Sequence, residues 1–450
     1  MTLQKQMLFS NRDLIRLIVP LIIEQTLTTM VGMLDGVMVS SCGEAAISGV
    51  SLVDMINVIL LQLFAALATG GAVVTSQYLG ARQPENARRS VNQLVLMALA
   101  FGMAAMAVCL VLSHELLDLF FGAIEEDVRQ AALTYFHITA LSFPFIAVYN
   151  AGAAMFRSMG NSKISMLCSG LMNVINVGGN ALCIYGLKMG VAGAAIPTLV
   201  ARAAAAVLVL VLASRPTGEL YIDLKRVFCL EKKLMGRILH IGVPSAFENS
   251  LFALGRVTVV GMIAVYGTSQ TTANAVAGNL TGMGVIVGPA IGLAMITVIG
   301  RCVGARDTDQ AVYYMKKLML WACCALAVNN LAVILLLPQL IGLYGTLTGE
   351  TAVLARTLIL IHTIGSIFMW AGSFVMPNAL RAANDVRYTL VVGISSMLIC
   401  RVGISWLLCI HMGWGATGVY TAMMVDWFCR TTCFGVRALS GKWKTKYKPT

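Results

Sequence analysis

The sequence predicts an all-α polytopic membrane protein, with twelve transmembrane helices in two pseudo-twofold-related six-helix bundles. Three observations carry this reading. Hydrophobic residues make up 58% of the 450 and charged residues only 12%, where a soluble domain carries about 25% charged residues. Apolar runs near the roughly 20 residues that a bilayer core requires recur along the whole chain. The chain also repeats itself at a spacing of 224 residues. Pro20 is answered by Pro244, Glu24 by Glu248, Gly43 by Gly267, Gly80-Ala81-Arg82 by Gly304-Ala305-Arg306, and Arg157 by Arg381. Near the ends the offset slips to 225, where Gly190-Val191-Ala192-Gly193 answers Gly415-Ala416-Thr417-Gly418.

The first bundle, 1–213, opens with a span at 14–40. The apolar stretch after Arg16 is too long for a signal peptide and has no evident small-residue cleavage site, so it reads as an uncleaved first helix. Gly43 marks the outer turn, and a second span at 46–79 ends on Gly80-Ala81-Arg82. Glycine ends a helix there and arginine holds the turn in water, which points to a structural role for this duplicated tripeptide. Spans at 92–112, 130–156, 163–186 and 191–213 complete the bundle. Several spans exceed 25 residues, which implies tilt, kinks or ends projecting into water.

A polar segment at 214–235 follows, with Pro216, Gly218, Asp223, Lys225, Arg226, Glu231, Lys232 and Lys233, and reads as the cytoplasmic linker. The second bundle, 236–438, repeats the pattern with spans at 236–266, 271–303, 313–337, 353–380, 387–410 and 415–437. Gly284, Gly288 and Gly292 recur every four residues in its second span, a spacing that lets neighbouring backbones approach, and Pro289 loosens the helix locally. Close packing is one role for this stripe and a moving hinge is the other. A tail at 439–450, carrying Lys442, Lys444, Lys446 and Lys448, suits either anionic lipid heads or a plain stop-transfer flank.

The net charge of +12 is a topology signal and not a nucleic-acid signal. Of 32 Lys and Arg, 26 fall in or beside the termini and loops of one face. The opposite loops hold only Arg129, Lys188 and Arg356, and Arg202, Arg256 and Arg401 lie inside spans. The positive-inside rule therefore places both termini in the cytoplasm and supports an even number of spans. Six spans per half make the two repeats parallel, so their pseudo-twofold axis is expected along the membrane normal, with a substrate path between the lobes. The twelve cysteines show no zinc or redox spacing. No phosphate-binding loop, His-Glu-x-x-His or Gly-x-Ser-x-Gly is present, so an enzyme is not expected and transport would run on an ion gradient.

A charge at the bilayer centre costs at least about 2.5–3.5 kcal/mol, so each needs a partner or a purpose. In the first half these are Glu24, Asp35 and Asp54, accompanied by Asn173, Asn176 and Asn180. At about 1.5 Å per residue, Asp35 lies about 8 Å below the outer end of its helix, level with Asn180, while Asp54 lies about 12 Å down, near Asn176. Asn176 and Asn180 share one helix face. These residues could form one polar pocket, and a carboxylate there can hold a proton or, with amide oxygens beside it, a cation such as Na⁺. The alternative for both aspartates is a structural role that locks helices together. In the second half the candidates for an ion or substrate site are Glu248, Arg256, Arg401 and Asp426, whose pairing the sequence leaves open. Pro20 and Pro244, each one turn before a glutamate, permit bends and are hinge candidates. The 26 methionines and aromatics such as Phe143, Tyr149, Phe252, Tyr266, Phe368 and Trp370 would suit varied apolar ligands, or simply pack and face lipid.

Pro20 followed by Asp35, Gly43 and Gln77-Tyr78-Leu79-Gly80-Ala81-Arg82 resembles the first two helices of the multidrug and toxic compound extrusion (MATE) transporters. Gly242-Val243-Pro244 through Glu248 and on to Gly304-Ala305-Arg306 resembles their seventh and eighth helices, and Arg401 sits where the family often has arginine in helix 11. The resemblance runs from about residue 12 to 438. It implies a secondary antiporter of the cytoplasmic membrane that exports small organic cations or amphipathic compounds in exchange for H⁺ or Na⁺ by alternating access, without a bound cofactor and as a monomer. It also implies a coupling site built from the first-helix aspartate, here Asp35, and an Asn-x-x-x-Asp pair on the fifth helix. Asn176 matches that asparagine, but Asn180 stands where many members have aspartate, so Asp35 would act with Asn176, Asn180 and Asp54, or share the work with Glu248. Two rivals remain: a flippase for lipid-linked sugars from the same wider superfamily, which predicts a cationic cleft, and a non-transporting membrane receptor or scaffold.

Overall fold

The computed structural model describes residues 7–122, 125–216, 219–223, 225–342, 344 and 349–447, so Gly218 of the linker and Lys448 of the tail lie outside the described residues. The described residues are helical, without strands. The helices are α1 (Asn11–Ser40), α2 (Glu44–Gly80), α3 (Pro84–Val111), α4 (Ser113–Phe121), α5 (Glu126–Ala140), α6 (Phe143–Ser158), α7 (Ser162–Asn180) and α8 (Ala192–Ala213), then α9 (Lys232–Ala264), α10 (Thr268–Gly284), α11 (Val287–Gly304), α12 (Thr308–Leu335), α13 (Leu337–Gly342), α14 (Gly349–Gly365), α15 (Met376–Ala382), α16 (Val386–Ser395) and α17 (Gly415–Leu439). Among the described residues ten helices are long and apolar enough to cross a membrane, and the α5–α6 pair, bent by 46°, makes eleven. The twelfth span is α17, which is 25 residues long but carries Asp426, Arg430 and Arg437.

The duplication seen in the sequence extends to helix ends. α2 spans 44–80 and the α10–α11 pair spans 268–304, while α3 and α12 start at 84 and 308 and end at 111 and 335. The turns repeat too. After α2, the Arg82 amide donates to Leu79 O at 3.1 Å and the Gln83 amide to Tyr78 O at 2.9 Å; after α11, the Arg306 amide donates to Val303 O at 3.0 Å and the Asp307 amide to Cys302 O at 3.0 Å. This is the Schellman closure, which requires a left-handed residue. Arg82 (φ 57°) and Arg306 (φ 58°) supply it, not the glycines expected to end these helices, which remain the last helical residues. The same closure recurs at Gly160 and Asn384, again 224 apart.

The copies differ where helices break. α2 runs unbroken, whereas its counterpart stops at Gly284 and restarts at Val287. The freed carbonyls are capped by amides from α12: Asn329 Nδ2 donates to Met283 O and Gly284 O at 2.7 and 2.9 Å, and Asn330 Nδ2 to Gly284 O at 3.0 Å. The glycine stripe here packs. A Cβ on Gly288 would fall 1.9 Å from the Trp370 ring, and one on Gly284 would fall 2.6 Å from Asn330 Oδ1. π-helical turns mark Ala181–Gly186 after α7, Ser366–Val375 between α14 and α15, and Ser396–Ile404 and Trp406–His411 after α16.

The chain divides into two compact units, one of Ser10–Ala246 and one of Phe247 onward together with the described residues 7–9. This division falls inside α9, not at the ends of the expected 214–235 linker. Part of that linker is strapped to α3 within the first unit. Gln93 clamps it on both sides, donating to Cys229 O at 2.6 Å and accepting from the Glu231 amide at 3.1 Å, while Arg88 reaches Tyr221 OH at 2.9 Å. In the second unit the Phe9 amide donates to Tyr314 OH at 2.9 Å, and that hydroxyl donates back to Phe9 O at 2.7 Å.

Candidate functional site

The acid-bearing site of the first unit is assembled on α1, α7 and α8. α1 starts on a capping box, in which Ser10 and Asp13 satisfy each other's backbone amides at 3.2 and 2.9 Å. It then runs helical through Pro20, with no break at this hinge candidate. Proline cannot donate to the carbonyl of Arg16, and Ser162 Oγ on α7 fills in, donating to Leu17 O at 2.5 Å and Arg16 O at 3.4 Å. One turn on, Glu24 is 6% exposed; it accepts from Ser165 Oγ at 2.8 Å and lies 3.8 Å from the Arg157 guanidinium. The inner half of α1 is thus tied to α7.

Asp35 makes the outer tie. Asn180 Nδ2 donates to Asp35 Oδ1 at 2.8 Å. With its amide nitrogen turned to the acid, Asn176 donates to the two Asp35 oxygens at 2.9 and 3.1 Å and accepts from Thr198 Oγ1 at 2.9 Å. Thr198 reaches Asn176 because α8 comes close at Pro197, against Gly179, where a Cβ would sit 2.6 Å from the proline ring. Asn176 and Asn180 are 7% and 1% exposed, Asp35 is half-buried, and the buried Asn180 Oδ1 has no hydrogen-bond partner. The α-helix ends at Asn180 and continues as a π-turn, a local widening common beside functional sites. Asp35 therefore meets neutral donors at hydrogen-bond distance.

Asp54 stands on α2, in electrostatic reach of Asp35. It accepts from Asn57 Nδ2 on its own helix at 3.3 Å and sits with Tyr135 of α5 and Arg202 of α8. It faces Asp35 only through space, as a like charge. Arg202, unassigned from sequence, is anchored by Ser142 Oγ at 2.7 Å, beside the α5–α6 bend, and lies in electrostatic reach of both aspartates.

In the second unit the expected group of Glu248, Arg256, Arg401 and Asp426 separates. Glu248 is not neutralised by Arg256 or Arg401. Its partners are Arg381 at 2.7 Å and Arg430 at 3.0 Å, and it is 5% exposed. Arg430, read from sequence as one of the cytoplasmic basic residues, is 2% exposed. Arg401 instead lies in the field of Asp426 and Arg256. Pro244, like Pro20, lies inside a continuous helix. Arg157 and Arg381 were visible as a duplicated pair, and both stand 133 residues after their glutamates, a constant separation that could have revealed the pairing. Arg430, Thr198 and Tyr135 carry no such signal.

The MatE family model matches residues 20–182 and 244–407, two segments whose starts are again 224 apart. The chain is 28% identical over 418 residues to the uncharacterized transporter YisQ of Bacillus subtilis (strain 168), covering 91% of this chain and 90% of that one. It is 23% identical over 445 residues to the probable multidrug resistance protein NorM of Thermotoga maritima, covering 97% and 94%. A solved MOP superfamily transporter from Pyrococcus furiosus superposes with a TM-score of 0.87 at 19% identity, covering 97% of each chain.

Proposed function

The chain belongs to the MatE family of membrane transporters, and from that premise we propose that it is a multidrug antiporter driven by H⁺ or Na⁺ bound at Asp35. The exported compounds are small organic cations or amphipathic molecules. Exchange runs by alternating access, in the cytoplasmic membrane, as a monomer with both termini inside and its basic end against lipid heads.

The observation that carries the reading is the set of neutral donors on Asp35: Asn180 at 2.8 Å and Asn176 at 2.9 Å. These bonds are charge-assisted, and strongest, while Asp35 is ionised. A proton or cation on Asp35 competes with them and weakens the outer tie between α1 and α7, while the inner tie at Leu17 and Glu24 stays closed. The stretch of α1 between the ties carries Thr26, Thr28 and Thr29, whose hydroxyls bond back to carbonyls four residues earlier at 2.8–2.9 Å, an arrangement that favours bending. Asn180 in place of the family's second aspartate leaves a site with a single carboxylate at its centre, which suits one bound cation per cycle. One proton supplies about 1.4 kcal/mol per pH unit, and one charge about 2.3 kcal/mol per 100 mV.

The test is dye efflux from proteoliposomes under an imposed H⁺ or Na⁺ gradient. Asp35→Asn is expected to abolish gradient-driven efflux while the protein inserts and keeps its elution volume. Efflux at the unsubstituted rate in that variant removes Asp35 from the mechanism.

A further inference from the structure

The strap on α3 encloses a space that the export reading does not use. Asn92 and Gln93, 4% and 1% exposed, are neighbours on α3 and hold the strap at two points. Asn92 Oδ1 accepts from the Asp223 amide at 3.2 Å, and Gln93 engages Cys229 O and the Glu231 amide. Between those points the chain turns twice, with the Arg226 amide donating to Asp223 O at 2.9 Å and the Cys229 amide to Arg226 O at 3.1 Å. A cavity of about 280 Å³ lies between the strap and the first turns of α3.

Three arginines and three carboxylates line it. Glu85, Arg88 and Arg89 come from α3, and Asp223, Arg226 and Glu231 from the strap. Arg88 is held in place, its guanidinium 4.1 Å over the Tyr221 ring and its Nη1 bonded to the Tyr221 hydroxyl. The pairs around it are slack. Arg89 stands 3.8 Å from both Glu85 and Glu231, and Arg226 stands 3.8 Å from Asp223, all beyond hydrogen-bond distance. Swinging Arg89 or Arg226 onto a ligand therefore breaks no hydrogen bond to these acids.

The balance of charge selects the ligand. A lone anion would meet the carboxylates, and a lone cation the guanidinium groups, whereas a zwitterion satisfies both. Arginine pairs with phosphate through two parallel N–H bonds. A primary ammonium brings three N–H donors to the acids. A quaternary ammonium is recognised by aromatic faces, and among the described residues no ring lines the cavity. Depth points to the bilayer surface. The apolar run of α3 begins at Leu94, and Arg89 precedes it by about 8 Å at about 1.5 Å per residue. The headgroup layer is about 5–8 Å deep.

We propose that this cavity binds a phosphoethanolamine group, with Arg88 and Arg89 taking the phosphate and Glu231 the ammonium. The group occurs in a membrane lipid and in soluble esters, which the arms below tell apart. The site stands apart from Asp35 and holds whether or not that acid takes the driving ion.

Isothermal titration calorimetry on the full chain in phosphatidylcholine nanodiscs compares glycerophosphoethanolamine with glycerophosphocholine, which differs only by methylation of the nitrogen. The unsubstituted protein is expected to prefer the former about tenfold, equivalent to about 1.4 kcal/mol. Glu231→Gln keeps the backbone bond to Gln93 and is expected to bring the ratio to near one. Arg89→Gln is expected to weaken both esters about tenfold, the loss of one charge-assisted bond. The Arg89 and Glu231 side chains are 48% and 36% exposed, so both variants are expected to keep the thermal midpoint. Adding phosphatidylethanolamine to the nanodiscs is expected to abolish the heat of glycerophosphoethanolamine binding, which makes the bilayer the source. Heat that persists there also supports the site and makes a soluble ester its ligand. Equal binding of the two esters, binding of neither, or a preference that survives Glu231→Gln overturns the proposal.

Discussion

Asp35 and Glu248 are both acids on membrane helices, yet Asp35 has neutral amides as neighbours and Glu248 has two guanidinium groups. Glu248 spends both oxygens on two buried guanidinium groups, so its charge is required for Arg381 and Arg430 to stay where they are. Removing one partner of a buried ion pair strands the other and costs about 3–5 kcal/mol. Glu248→Gln is therefore expected to lower the thermal midpoint strongly or to prevent recovery of folded protein. Glu24→Gln should cost less, because Arg157 stands farther off at 3.8 Å and Ser165 holds the other oxygen at 2.8 Å. Asp35→Asn should barely move the midpoint, since an amide can still accept from Asn180. Thermal unfolding of the three variants in one detergent decides it, and a midpoint for Glu248→Gln within a degree of the unsubstituted protein would contradict the structural role. Little of this difference was legible in the sequence. Both acids were visible as intramembrane charges, but which arginine turns toward which acid depends on helix rotation, and Arg430 is spaced like a residue of the basic end.

At the scale of helices, what the sequence revealed were the ends and what it concealed were the interruptions. Ends depend on residue identity: the Gly-Ala-Arg tripeptide, whose arginine takes the left-handed position, is duplicated at 82 and 306. Interruptions depend on what stands alongside. α2 and the α10–α11 pair share boundaries offset by 224, but only the latter has two asparagines of α12 ready to receive the freed carbonyls. Asn330 is fully buried and also donates to Leu326 O at 2.9 Å, so it links the break to its own helix. Hydrogen bonds between membrane helices are worth about 0.6 kcal/mol on average and up to about 1.7. Asn330→Ala is expected to cost about 1–2 kcal/mol, and Asn329→Ala less, because Asn330 continues to cap Gly284. The measurement is the shift in thermal midpoint, and an Asn329→Ala loss larger than that of Asn330→Ala would show the capping to be misassigned.

Across the whole chain the duplication was legible because it is a statement about order, and order survives without knowledge of packing. The positive-inside argument belongs to the same scale, since it counts charges per loop and ignores where each side chain points. It assigns the 214–235 segment to the cytoplasm, and the structure offers a native probe of that assignment. Of the twelve cysteines, Cys229 and Cys324 are exposed. Cys324 lies within α12, a helix long and apolar enough to cross a membrane, away from the ends that a water-soluble reagent reaches. Cys229 lies outside the helices, and its carbonyl, not its sulfur, is engaged by Gln93. With the partly exposed Cys42 and Cys183 of the opposite ends replaced by serine, a membrane-impermeant maleimide is therefore expected to label the chain in inside-out vesicles and not in right-side-out ones, and Cys229→Ser should abolish that labelling. Labelling of Cys229 from the outer face would reverse the orientation, and with it the direction of the exchange proposed above.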